Sequence, residues 1–147
     1  VHEFALRYGP TTFGCRLDVE FEKICAPSYA GASRDEDQFD LIVSAQGRIS
    51  AQSRIGFGVT IKRGSSIGHH NVIGDFTDIN PGVVLSGSVN VGRGCILGSG
   101  TVVMHQITIG DNCYIGAGSV VTRDVPPNSI AYGNPCKVAK ANEKWSI

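Results

Sequence analysis

The sequence has little charge of either sign and no long hydrophobic run. Its 147 residues include 13 basic and 13 acidic side chains, so the formal net charge is zero. No block of Lys and Arg supplies the dense positive surface that a phosphate backbone requires, so nucleic acid is not expected as a partner. No stretch approaches the ~18 apolar residues of a membrane helix, and the first seven residues do not resemble a signal peptide. We therefore expect one globular domain in the cytoplasm, without a membrane partner.

Cysteine is sparse and forms no recognisable motif. The five cysteines include no C-x-x-C pair and leave one over, which argues against a zinc knuckle and against a complete disulfide framework. A P-loop and a G-x-G-x-x-G run are also absent, so these motifs give no support for nucleotide binding. Reduced thiols and no bound metal are expected. The cysteines are Cys15, Cys25, Cys95, Cys113 and Cys136.

Glycine, by contrast, is abundant, with 19 residues. Typical usage is ~7% of a chain, so an unusual backbone geometry must require these glycines. An internal repeat accompanies them, because an aliphatic residue recurs every six positions, fourteen times without an insertion. A small or apolar side chain usually lies two residues before each of these aliphatics. The aliphatic row is Val43, Ile49, Ile55, Ile61, Ile67, Ile73, Ile79, Leu85, Val91, Leu97, Val103, Ile109, Ile115 and Val121.

A period of six fits neither an α-helix nor an isolated amphipathic strand, but it fits a solenoid. Three hexapeptides make a triangular coil of about 18 residues, and stacked coils pair as parallel strands ~4.8 Å apart, giving roughly four and a half coils. Each buried aliphatic contributes on the order of 1.5 to 3 kcal/mol. The pattern therefore predicts an all-β fold, a parallel β-helix. Cys95 and Cys113, eighteen apart at inward positions, are expected to pack there as buried thiols.

At this point the sequence resembles the hexapeptide-repeat acyltransferases, over residues 43–137. Within them, the run 67–76 and the ending 122–135 look most like the sialic acid O-acetyltransferases and the UDP-amino-sugar N-acetyltransferases. The resemblance implies a left-handed β-helix, a homotrimer, acetyl-CoA as the donor, and an amino sugar or sugar hydroxyl, free or nucleotide-linked, as the acceptor. We divide the chain into an N-terminal cap or stub without the repeat (1–40), the β-helix (41–125) and a C-terminal loop and tail (126–147).

Acetyl transfer needs a base for the nucleophile's proton and hydrogen-bond donors for the developing oxyanion. The resemblance places the catalytic histidine at His69, whereas taken alone it would be an ordinary surface histidine. Gly87, eighteen residues later, should lie ~4.8 Å away in the next coil. The resemblance makes its backbone N–H the oxyanion donor, and the alternative is a simple corner glycine. His105, a further eighteen residues on, is expected to line the same groove beside the cofactor.

Three residues near this site depart from the pattern that the resemblance implies. His70 replaces an acidic residue, Lys62 replaces an asparagine and Asp78 replaces a second histidine. These residues would face the acceptor. An acid beside the base would hold its tautomer, and Asp75 or Asp78 could substitute from a neighbouring position or subunit.

The same resemblance implies where coenzyme A would bind. Its pantetheine arm would lie in a groove between adjacent β-helices, against small residues that allow a close approach. Gly98, Gly116, Ala117 and Gly118 are the candidates. Lys137 is placed near the adenine and its phosphates, although a solvated tail lysine is an equal alternative.

Two other functions stay open. A zinc enzyme like the γ-class carbonic anhydrases would match the 36-residue gap between His69 and His105. Its third ligand would fall at Gly110, so His70 or His2 would have to supply it. The second possibility is a β-helix without turnover, either structural or still able to bind coenzyme A.

Overall fold

The computed structural model describes residues 41–43 and 47–143, and every regular element in these ranges is a β-strand. Fourteen very short strands follow one another around three faces of a solenoid. The first face contains β1 (Leu41–Val43), β4 (Val59–Ile61), β7 (Asp78–Ile79), β10 (Ile96–Leu97) and β13 (Tyr114–Ile115). The second face contains β2 (Arg48–Ile49), β5 (Ser66–Ile67), β8 (Val84–Leu85), β11 (Val102–Val103) and β14 (Val120–Val121). The third face contains β3 (Arg54–Ile55), β6 (Val72–Ile73), β9 (Asn90–Val91) and β12 (Thr108–Ile109).

The strands of each face pair in parallel with the strand one coil away. Ile61 lies opposite Ile79 and Leu97 lies opposite Ile115, an offset of 18 residues in both pairs. Each coil therefore consists of three hexapeptides, which confirms the predicted all-β fold class, a parallel β-helix with triangular coils of 18 residues. The arrangement agrees with the left-handed sense that the resemblance implies.

The interior is formed by the aliphatic row and by the smaller residues two positions before it. From Ile55 to Val121 every aliphatic of the row is at most 3% exposed. The smaller residues stack in columns between them, and Ser53, Thr77 and Cys95 are all buried. In the described part of the chain these buried side chains form one continuous core.

Glycines serve two separate purposes in the coils. The glycine directly after an inward aliphatic lies close to the next coil, and an added Cβ at Gly98 would be 2.4 Å from the amide nitrogen of Ala117. The positive φ needed to turn a corner occurs two residues later, as at Gly64 (71°). Several corners place a larger residue in this left-handed region, including His70 (57°) and Phe76 (57°).

Cys95 and Cys113 lie one coil apart in the interior as free, fully buried thiols, as the sequence indicates. Their sulfurs contact the carbonyl oxygens of Gly110 and Pro126, each at 3.1 Å. A hydrogen bond between the two thiols lowers the pKa of Cys113 to about 7 and, together with burial, raises the pKa of Cys95.

The predicted C-terminal loop and tail contains two further strands, β15 (Ser129–Gly133) and β16 (Cys136–Ala141). β15 continues the first face beside β13 in parallel, and β16 folds back on it as an antiparallel hairpin. The segment 1–40, interpreted as a cap or stub, lies outside the described residues. Within the described ranges no helix is long and apolar enough to cross a membrane.

Candidate active site

His69 lies in the turn 68–71, which joins β5 of the second face to β6 of the third face. The carbonyl oxygen of Gly68 accepts hydrogen bonds from Ser53 Oγ at 2.8 Å and from Asn71 Nδ2 at 3.1 Å. Asn71 Oδ1 in turn accepts the backbone N–H of Val89, in the next coil, at 2.7 Å. These bonds fix the backbone on both sides of His69, whose own side chain is exposed.

Asn71 is a site residue that the sequence interpretation missed. It is completely buried, and its amide is the one strongly polar group among the small and apolar residues two positions before the aliphatics. A buried amide must find partners for its oxygen and its nitrogen, and Asn71 finds them on both sides of the histidine turn. The break in the small-residue column was the signal that could have identified it.

The structure brings His69 and Gly87 together. A Cβ added to Gly87 would lie 2.5 Å from His69 Cε1, 2.6 Å from Nε2 and 3.1 Å from Nδ1. The ring therefore occupies the space that only a glycine leaves open. The backbone N–H of Ser88 donates to the carbonyl oxygen of His69 at 2.9 Å, which holds the two turns in register.

The N–H of Gly87 has no hydrogen-bond acceptor among the described residues. The comparable amides of Phe57 and Arg93, at the turns after the third face, are capped by carboxylate oxygens of the next coil. Asp75 Oδ1 accepts the first at 2.8 Å and Asp111 Oδ1 accepts the second at 2.9 Å. Gly87 thus presents an uncapped donor beside an imidazole, which is the donor-and-base pair that acyl transfer uses.

His70 contacts His69 directly. Their Nδ1 atoms are 2.9 Å apart, and the two rings are nearly perpendicular, at 89°. The two carboxylates considered as substitutes for an acid beside the base have other partners in this chain. Asp75 accepts the Phe57 amide, and Asp78 Oδ2 forms an ion pair with Lys62 at 2.8 Å.

Lys62 and Asp78 lie together, but not with His69. Asp78 lies in β7 of the first face, and Lys62 directly follows β4 of the same face. Lys62 Nζ also donates to Asn80 Oδ1 at 2.9 Å. Each side chain of the ion pair is about one-third exposed, at 37% and 34%. Asp78 Oδ1 is buried and has no hydrogen-bond partner among the described residues. The two residues that depart from the expected pattern therefore form an ion pair in which their charges neutralise each other.

His105 occupies the equivalent turn after β11, two coils beyond His69, and is exposed. The N–H of the following residue, Gln106, donates to the carbonyl oxygen of Gly87 at 3.1 Å. His69, Gly87 and His105 thus form one column along the edge between the second and third faces, which we call the histidine edge.

The residues assigned to coenzyme A lie on a different edge of the same chain. Gly98, Gly116, Ala117 and Gly118 follow β10 and β13, at the edge between the first and second faces, which we call the glycine edge. A Cβ added at Gly118 would meet nothing within 4 Å, so this edge has open space beside it. Lys137 lies on β16 and is exposed. Within one chain the histidine edge and the glycine edge are therefore two separate edges of the solenoid.

No group of three His, Cys, Asp or Glu side chains in the described part of the chain is arranged to hold a metal ion. His2, which the carbonic anhydrase interpretation could require, lies outside that part. His69 and His70 therefore form a pair without a third ligand among the residues described.

Comparisons with known proteins agree with the fold. The family model described as bacterial transferase hexapeptide (six repeats) matches residues 88–123. A probable serine acetyltransferase from Oryza sativa subsp. japonica is 39% identical over 106 residues, which are 65% of this chain and 30% of that protein.

Two solved structures share the fold and part of the sequence. A variant of perosamine N-acetyltransferase from Caulobacter crescentus, in complex with CoA and GDP-perosamine, is 35% identical with a TM-score of 0.67, over 68% of this chain and 48% of that chain. The acetyltransferase domain of PglB from Neisseria gonorrhoeae is 30% identical with a TM-score of 0.67, over 67% of this chain and 48% of that chain. The chain spans less than half the length of these relatives. With the six-residue period and the 18-residue coils, these matches show that the chain carries the transferase hexapeptide repeat over residues 88–123 and is similar to these acetyltransferases in fold and in part of its sequence.

Proposed function

We propose that this protein is an acetyl-CoA-dependent acetyltransferase that acts on an amino group or hydroxyl of a sugar, most simply a sugar nucleotide. The observation that carries the proposal is the His69 ring packed on Gly87, whose amide donor is uncapped. The similar perosamine N-acetyltransferase was solved with CoA and GDP-perosamine, which supports this donor and this class of acceptor.

In the proposed reaction His69 accepts the proton of the acceptor's amine or hydroxyl as the nucleophile attacks the thioester carbonyl. The N–H of Gly87 donates to the oxygen on which negative charge develops. Collapse of the tetrahedral intermediate breaks the carbon–sulfur bond, and His69 returns the proton to the departing thiolate. No proton or electron is left over, so the cycle needs no further reactant.

The two separate edges lead us to propose that the cofactor binds between two copies of the chain, in a homotrimer. The histidine edge of one copy would face the glycine edge of its neighbour, with His105 beside the same groove. The open space at Gly118 suits a close approach of the pantetheine arm, and Lys137 would pair with a phosphate. His70 of one copy and Lys62 and Asp78 of its neighbour would contact the acceptor. We propose a cytoplasmic location.

A second acceptor class is favoured by one observation, the 39% identity to a probable serine acetyltransferase. The nucleophile would then be a small hydroxyl amino acid rather than a sugar. The chemistry at His69 and Gly87 would be unchanged, so the two candidates differ only on the acceptor side.

The test is an acceptor screen with acetyl-CoA that follows release of free thiol. The panel contains nucleotide-linked amino sugars, sialic acids, serine and small amines. We expect turnover with an amino sugar or sugar nucleotide. In His69→Ala we expect turnover to fall by about 10²- to 10⁴-fold, while calorimetry shows unchanged acetyl-CoA binding.

Gln106→Ala is the control for the turnover of His69→Ala. Gln106 occupies a comparable exposed corner two coils away from the histidine turn. Normal turnover by His69→Ala would remove His69 from the role of base. Binding of acetyl-CoA without turnover on any acceptor would instead favour the interpretation as a CoA-binding β-helix.

A further inference from the structure

The contact between His69 and His70 restricts where their protons can be. At 2.9 Å the two Nδ1 atoms are at hydrogen-bond distance, so one of them must carry a proton and the other must accept it. A neutral imidazole has one N–H and one acceptor nitrogen. The ring that donates through Nδ1 therefore has an unprotonated Nε2, and the ring that accepts has a protonated Nε2.

We propose that His70 is a positioning residue, which accepts the Nδ1 proton of His69 and thereby leaves Nε2 of His69 free as the base. The inference rests on the proposed function of His69. The opposite arrangement would put a hydrogen on Nε2 of His69, so that this atom could not take a proton from the acceptor. The acid that the resemblance expects would hold the tautomer of His69 and stabilise its imidazolium. A neutral His70 would perform the first of these two tasks.

The surroundings of His69 Nε2 favour this arrangement. The Cε1–Nε2 side of the ring is the part nearest Gly87, whose amide donor has no acceptor among the described residues. A second N–H at Nε2 would place two unpaired donors side by side in this turn, whereas a lone pair there does not. His70 is exposed, so water can accept from its Nε2–H.

The backbone holds the pair in place. The N–H of His70 donates to the carbonyl oxygen of Ala51 in the preceding coil at 3.2 Å, and His70 adopts a φ of 57°. This left-handed conformation brings its ring across that of His69, with centroids 5.1 Å apart. The hydrogen bonds of Asn71 fix the next residue of the turn.

No carboxylate competes for the shared proton at this position. The residues one coil before the pair are Ala51 and Gln52, and those one coil after it are Gly87 and Ser88, all of them uncharged. His105, two coils from His69, is the next titratable group in the same column. The shared proton therefore has no charged acceptor at the equivalent positions of the adjacent coils.

The pair differs from a histidine beside an acid, because its acceptor is neutral. His70 can hold the tautomer of His69, but it stabilises the imidazolium of His69 less than a carboxylate would. A doubly protonated ring has two donors and no acceptor, so only a neutral His70 can accept the Nδ1 proton of His69.

The experiment measures the tautomer directly, by long-range ¹H–¹⁵N NMR of the full chain labelled at histidine. The expected result is His69 protonated at Nδ1 and His70 at Nε2. His70→Asn, whose Oδ1 can accept in place of the ring nitrogen and whose side chain tolerates the left-handed φ, should keep the His69 tautomer. His70→Ala should lose it, and Gln106→Ala should not change it.

Kinetics provide the second readout. We expect His70→Ala to lower kcat by about tenfold or more with unchanged KM for acetyl-CoA, and His70→Asn to restore most of it. A merely structural role would lower the melting temperature of His70→Ala without changing the tautomer of His69.

Two results would overturn the assignment of His70. One is a wild-type His69 protonated at Nε2, and the other is a His70→Ala variant that keeps both the tautomer and the rate. Normal turnover by His69→Ala would instead remove His69 from the role of base, and absence of turnover by the wild type on every acceptor would overturn the proposed function. The NMR result and these activities are independent, so the failures can be told apart.

Discussion

Gly87→Ala adds one methyl group at the point where the proposed base and the proposed oxyanion donor meet. The new Cβ would lie 2.5 Å from His69 Cε1 and 2.6 Å from Nε2. Carbon atoms in ordinary contact are about 3.5–4.0 Å apart, so the ring must move by about 1 Å. A displacement of ~1 Å at a catalytic group can cost about 10²-fold in rate, which is about 2.7 kcal/mol in the activation barrier.

The variant should lose activity without losing its fold. Gly87 does not have a positive φ, and the first atoms its Cβ would meet belong to an exposed side chain that can rotate away. The assay is kcat/KM for acetyl transfer, together with the melting temperature. Gly64→Ala is the control, because it adds the same methyl group where nothing lies within 4 Å, at a φ of 71°.

We expect Gly64→Ala to cost about 1–2 kcal/mol of stability through backbone strain and to leave kcat/KM unchanged. Gly87→Ala should show the reverse, a loss of about 10²-fold in kcat/KM with a nearly unchanged melting temperature. Full activity in Gly87→Ala would refute the reasoning, because the ring and the amide could not then be acting from these positions.

Three further predictions concern the structure around the site. Asn71→Ala should lower the free energy of unfolding by about 2–3 kcal/mol in chemical denaturation, because it leaves the Val89 amide buried without an acceptor; no loss would mean that water satisfies this donor. Gly98→Ala should destabilise by more than about 3 kcal/mol, since its Cβ would meet the backbone of the next coil at 2.4 Å, and a melting temperature equal to wild type would contradict the close packing of the coils. A double-mutant cycle of Lys62→Met and Asp78→Asn should give a coupling energy of about 1 kcal/mol that falls at high salt, and additive effects would show that the ion pair is absent in solution.

The architecture was predictable because one constraint repeats in every coil. An inward position must be aliphatic to be buried, and the six-residue spacing of Ile55, Ile61 and Ile67 has no other simple structural explanation. The register followed from the same period, so the contact between His69 and Gly87 was expected from their separation of 18 residues. The structure places them as that separation requires.

Other features depend on interactions that a period does not contain. The abundance of glycine predicted an unusual backbone geometry without saying where it occurs. The structure assigns the glycine that follows an aliphatic to the close approach between coils, while the left-handed φ occurs two residues later. That position is often not glycine, so His70 gave no sign that it turns a corner. Its contact with His69 follows from this φ.

The distribution of residues over the edges was also hidden in the sequence. Spacing of 18 places residues in columns, but it does not say which columns share an edge with a neighbouring copy. His69 and Gly98, expected at one site between adjacent β-helices, lie on different edges of the chain. Lys62 and Asp78 looked like two independent departures, and only their 2.8 Å contact shows them to be a pair.

The most direct test of the central claim is a crystal structure of this protein with an acetyl-CoA analogue in which the reactive thioester is replaced by a stable acetonyl thioether. The carbonyl oxygen of the analogue should lie at ~2.7–3.1 Å from the amide nitrogen of Gly87, with His69 Nε2 facing the space from which a nucleophile would attack. An analogue bound with its carbonyl away from the histidine edge would contradict the assignment of both residues.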